Sequence, residues 1–181
     1  YNYGTVGQNE IDHCVGVNNY DDMVIPEMEF TSNDRMVAFG DTKAVIFEGA
    51  QKPQAIAEIP MDEKTKSIFY NEHYIGIVTG NDFDVAMENT YEDCYVYAAV
   101  YDENGKLVME KDFGLDYSSI EFLTNNEICI RNANVCDIYT VHGVYKFHHE
   151  FEEELFEIIP GKLKLNYTLV LKDTTQRIRL K

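Results

Sequence analysis

The chain has 181 residues, 45% of them apolar, which is enough to bury a sizeable core within one domain. Thirty-two acidic residues against fifteen basic ones give a net charge of −17, which argues against nucleic acid and anionic membrane surfaces as partners, because both are held by clustered Lys and Arg. No apolar run approaches the roughly 18 to 20 residues that span a bilayer, so no membrane insertion is expected in this segment.

Tyr1 stands where a methionine would start a protein, and no basic flank or apolar signal core follows it, so the sequence is expected to be part of a longer chain. Residues 1–27 contain strand-like stretches at 11–17 and 22–25. The first full unit spans about 28–60, with strands at 28–30, 35–39, 44–47 and 55–59. The second, 67–112, has strands at 67–70, 74–78, 95–101 and 106–110, interrupted by an acidic insertion at 81–93. The third, 119–151, has strands at 119–122, 127–131, 135–139 and 145–151. The fourth, 155–181, shows only three. Each strand is short, apolar or alternating, and bounded by Asn, Asp, Gly or Thr, the pattern of half-buried hairpins.

Three hairpins, at 38–47, 130–139 and 170–180, align on one another. Anchors at Ala38, Ile77, Ile130 and Val170 are 39, 53 and 40 residues apart, and the insertion accounts for the long interval. Repetition at this period predicts an all-β, β-propeller-like array of about four antiparallel blades within a single domain. The fourth unit lacks its outer strand, and because four blades is the lower limit for a closed ring and larger rings are more usual, the array is expected to be part of a larger ring. Residues 1–27 would then complete a terminal blade or be the remnant of a preceding one; a closed ring of four blades is the alternative.

The blades, with the turn Tyr-Asp-Glu-Asn-Gly-Lys at 101–106 and the ending at 173–181, resemble WD40-like and quinoprotein-like propellers, and in particular an uncharacterised family of bacterial membrane-anchored propeller proteins. The chain has no tryptophan, so it lacks both the Trp-Asp dipeptide of WD40 repeats and the tryptophan docking motif of quinoprotein blades. The resemblance covers essentially the whole chain, as the C-terminal part of that family's length. It implies a membrane-anchored parent with its propeller outside the cytoplasm, at the cell surface, and carries over no activity.

Several side-chain groups are candidates for chemistry. The insertion offers Asp82, Asp84, Glu88, Glu92 and Asp93, hard oxygen donors of the kind Ca²⁺ takes on a flexible loop, although the EF-hand spacing is absent. Tyr91, Tyr95 and Tyr97 crowd the neighbouring strand as contact residues for a partner, in competition with simple cross-strand packing. His148 and His149 suggest zinc, but neighbours on a strand point to opposite faces and cannot share an ion. Glu27 and Glu29 share a strand face as a carboxylate pair. Asn166-Tyr-Thr168 fits a glycosylation acceptor. Cys129 and Cys136 would oppose each other across their hairpin if its turn is centred on Asn132 and Ala133, and are expected as two packed thiols rather than a disulfide.

The expected function is that of a non-enzymatic binding or scaffold module whose partner is protein or carbohydrate, with no cofactor other than Ca²⁺. One alternative is a carbohydrate-active hydrolase or lyase using carboxylates in the propeller funnel. The other is a protomer of a repetitive surface assembly held by sheet edges.

Overall fold

The structure is a computed structural model and describes residues 27–32, 34–49, 51–61, 65–79, 96–114 and 117–180. Within them it is all-β and contains no helix. The first sheet joins β1 (Glu27–Ser32), β2 (Arg35–Phe39), β3 (Lys43–Glu48) and β4 (Gln54–Pro60) in chain order. The second joins β5 (Thr65–Tyr70), β6 (Tyr74–Thr79), β7 (Tyr97–Asp102) and β8 (Leu107–Asp112). The third joins β9 (Ser119–Phe122), β10 (Ile128–Asn132), β11 (Val135–Tyr139) and β12 (Tyr145–Glu150), and the fourth joins β13 (Leu155–Pro160), β14 (Asn166–Leu171) and β15 (Thr175–Arg179). Consecutive antiparallel meanders of three or four strands, repeated along the chain, are the blades of a propeller-like fold.

Burial explains why these stretches are continuous apolar runs. In β2, β3, β6 and β11 four successive residues are buried, because these strands are covered on both faces. The outermost strand of the first blade, β4, is mostly exposed. In β14 burial strictly alternates, with Tyr167, Leu169 and Leu171 inside and Asn166, Thr168 and Val170 half-buried, so only one face of the fourth blade is fully covered.

The chain divides into two compact units, residues 1–79 with 100–107, and residues 80–99 with 108–181. The core of the first is built on Val37, Phe39, Ile46, Ile59, Ile75 and Ile77. The core of the second is built on Cys129, Ile138, Phe151, Ile158, Tyr167 and Leu169, and joins the third blade to the fourth.

Turn chemistry follows the polar residues. Asn71 accepts hydrogen bonds from the backbone N–H groups of His73 and Tyr74, both at 2.9 Å, which closes the β5–β6 turn. Asp102 accepts from the N–H groups of Asn104 and Lys106, and Gly105 adopts φ 77°. A Cβ at Gly105 would also lie 2.4 Å from that of Ala57, so glycine is required there by conformation and by space.

The β10–β11 turn corrects the sequence reading by one residue. Ala133 and Asn134 form it, with Ala133 at φ 52°, so Cys129 pairs with Ile138 and Cys136 with Arg131. Asn134 fixes this register: its side-chain amide donates to the Phe151 carbonyl at 2.6 Å, and its own carbonyl accepts from the Phe151 N–H at 2.9 Å. These bonds offset the roughly 1 to 2 kcal/mol that a left-handed alanine costs.

Candidate functional site

Two polar clusters are anchored in the third blade. Glu127 leads into β10, and its carboxylate accepts hydrogen bonds from the Tyr167 hydroxyl, the Lys146 ammonium and the Asn125 side-chain amide. Lys146 also donates to the Tyr167 hydroxyl at 3.2 Å. Strand β12 carries Lys146 at a register shift between Ile138 and Tyr139, and such a bulge re-aims a side chain. The group therefore ties three strands together: β10 and β12 of the third blade and β14 of the fourth.

Burial lowers the pKa of Lys146, but its hydrogen bonds to Glu127 and Tyr167 and the nearby negative charge outweigh that and hold it above the ordinary lysine value. Burial first, and then Glu127, raise that of Tyr167. Arg131 adds a second tie between the two blades, donating to the carbonyls of Leu155 at 3.2 Å and Phe156 at 2.5 Å and pairing with Glu121 at 3.1 Å.

On the other face of the third blade, His148 Nδ1 lies 2.7 Å from the buried Asp137 carboxylate. The two histidines do point apart, for His149 lies between Phe147 and Phe151 with ring centroids 6.1 and 4.7 Å away. Lys111 sits 5.4 Å over the Phe113 ring and 5.0 Å over the Tyr139 ring. Among the described residues no group of three or more His, Cys, Asp or Glu is arranged to hold a metal ion.

Cys129 and Cys136 are free, fully buried thiols with their sulfurs 3.6 Å apart. They are diagonal neighbours on one face of the hairpin, and the hydrogen bond between them, together with burial, raises the pKa of Cys129 far above the ordinary thiol value. Because both sulfurs are buried away from any reagent, neither should react with a thiol reagent in native protein carrying Cys14→Ser and Cys94→Ser, and both should react once denatured. Labelling of either in the native state would contradict this packing.

The sequence candidates fall out unevenly. Asp82, Asp84, Glu88, Glu92, Asp93, Tyr91 and Tyr95 lie outside the described residues. Tyr97 is half-buried, and its hydroxyl donates to the Glu110 carboxylate. Glu27 and Glu29 lie opposite Phe39 and Val37. Asn166 spends its amide on the carbonyls of Leu163 and Lys164, at 3.3 and 3.1 Å. The Glu127, Lys146 and Tyr167 cluster escapes sequence reading because Tyr167 stands 40 residues from Glu127, in the next repeat.

A surface feature stands apart from these buried groups. Of the eight large hydrophobic residues exposed among the described residues, four belong to the fourth blade: Phe156, Ile159, Leu163 and Leu165. Leu163 is the most exposed, at 74%, and lies between Lys162 and Lys164 in the β13–β14 turn. Six of the chain's fifteen basic residues lie in its last twenty positions, against one of its thirty-two acidic residues, Asp173.

The model of a Family of unknown function (DUF5711) matches residues 1–180. The chain belongs to that family. No curated protein matches it. Among solved structures it is similar to a eukaryotic initiation factor, at 11% identity and a TM-score of 0.52 over 87% of this chain and 41% of that one. It is also similar to Kluyveromyces lactis Hsv2p (12% identity, TM-score 0.45, 87% of this chain and 50% of that one). A third is the Neurospora crassa Pan2 WD40 domain (10% identity, TM-score 0.34, 85% and 62%). At 11% identity the likeness to the initiation factor is one of fold alone, and the chain spans about half or less of the first two. This family member is thus an all-β, propeller-like chain in a family without an assigned function.

Proposed function

We propose that the chain is a non-enzymatic binding or scaffold module of the β-propeller type, part of a membrane-anchored protein with its propeller outside the cytoplasm, and that the fourth blade is its contact surface. The observation that carries this is the concentration of exposed apolar side chains on that blade, whose β14 alternates between buried and half-buried residues. Exposed apolar groups rimmed by charge are the usual chemistry of a protein-binding surface. The best-satisfied polar cluster, around Glu127, is engaged in joining the third blade to the fourth and holds that surface in place. The membrane-anchored and cell-surface parts of the reading rest on the resemblance drawn from the sequence.

The test is cross-linking of the full-length protein in the cells that make it, comparing the unaltered form with a Phe156→Glu and Leu163→Glu double variant. Both positions are at least half exposed, so the variant should fold with an unchanged thermal midpoint. Loss of the cross-linked species in the variant is expected. Their persistence, with the fold intact, would remove the fourth blade as the contact surface.

A further inference from the structure

The fourth blade is basic in an acidic chain. Lys162, Lys164, Lys172, Arg177 and Arg179 are all exposed, and none of them is in an ion pair among the described residues. The register places Arg177 opposite Thr168 and Arg179 opposite Asn166, while Thr168 pairs on its other side with Ile159. Both arginines therefore share the half-covered face with Ile159 and with Glu157, its one exposed carboxylate, and Leu163 and Leu165 stand at its end, beside Lys162 and Lys164. Among the described residues β15 is an edge of its sheet, and charge on an edge strand is a known guard against unwanted strand pairing. Guarding does not explain why Leu163 is held out between two lysines, since an exposed leucine works against it.

We infer that this basic, partly apolar face docks on the acidic surface of a second copy of the chain; the inference rests on the binding-module reading. The complement is present in the molecule itself, because the 154 positions before the fourth blade hold nine basic residues and thirty acidic ones, while the blade holds six basic residues and two acidic ones, Glu157 and Asp173. Two such faces disfavour each other, since each brings exposed cations, Lys162, Lys164, Arg177 and Arg179, against the same cations of the copy. The contact is therefore heterologous, the fourth blade of one copy on the acidic remainder of the next, which builds a ring or a chain of copies. It is weakened by salt, because the charges that make it are exposed.

Light scattering on the 181-residue chain tests this. The mass should exceed the monomer's 20.9 kDa and grow with concentration at about 50 mM salt, and return to 20.9 kDa at about 0.5 M. An Arg177→Glu and Arg179→Glu variant should be monomeric at both. A Lys52→Glu and Lys106→Glu variant, with the same change of net charge at exposed sites elsewhere, should associate as the unaltered chain does. A mass of 20.9 kDa at both salts, or equal association of the arginine variant, would overturn the inference. If the monomer instead pelleted with phosphatidylcholine vesicles containing about 30% phosphatidylserine, the face would belong to an anionic lipid surface and not to a second copy. The cross-linking of the Phe156 and Leu163 variant decides the binding reading separately.

Discussion

Replacing Glu127 with alanine is expected to lower the stability of the third and fourth blades by about 2 to 3 kcal/mol, read as a fall in urea midpoint at unchanged slope. The carboxylate is buried and accepts from three side chains, so its loss leaves the Tyr167 hydroxyl, itself almost wholly buried, without its acceptor. Lys146 keeps about a quarter of its exposure and can turn to water, which holds the cost to the low end of what breaking a buried ion pair does. Glu127→Gln, which retains an acceptor for Tyr167, should cost about 1 kcal/mol. An alanine variant as stable as the parent would show that the cluster holds nothing together.

The same cluster sets a pH dependence. Both Lys146 and Tyr167 have folded-state pKa values raised above their ordinary ones, so the folded state holds these protons more tightly than the unfolded chain does. Their contribution is complete below the ordinary values near pH 10 and is lost as pH rises through the folded ones. Stability should therefore fall as pH rises beyond about 10, and fall less in Glu127→Ala.

The second large effect separates two neighbours on one strand. Ile158 is 3% exposed and lies opposite the fully buried Leu169, in the core shared by the third and fourth blades, whereas Ile159 is 39% exposed on the other face. Ile158→Ala should cost about 3 kcal/mol, through lost transfer free energy and the cavity left among Leu169, Phe151 and their neighbours. Ile159→Ala should cost less than about 1 kcal/mol, since that face is open to water. Comparable losses from the two would mean that both faces of the blade are buried, and would take away the surface on which the functional proposal stands.

Much of the architecture was readable in the residues, because hairpins announce themselves locally. Asn71, the Asp102 to Gly105 turn and the apolar runs of β2, β3 and β11 each specify their own conformation within a few positions. The opposed histidines followed from strand alternation alone. What could not be read depended on distant partners. The β10–β11 register turns on Asn134 meeting Phe151, 17 residues away, and the Glu127 cluster spans a whole repeat. Lys146 reaches Glu127 only through a bulge that nothing in its own stretch marks. The basic fourth blade was missed, because the charge was weighed only as a whole-chain −17, although six basic residues against one acidic residue in the last twenty positions carry the signal.

Amide hydrogen exchange of the 181-residue chain, concentrated at low salt and dilute at high salt, would show directly whether the fourth blade is covered by a second copy. Added protection is expected at low salt in residues 162–165 and in β15, where the exposed lysines, leucines and arginines lie, with no change in turn residues 71–73 of the first unit. Identical exchange of the fourth blade under both conditions would contradict it.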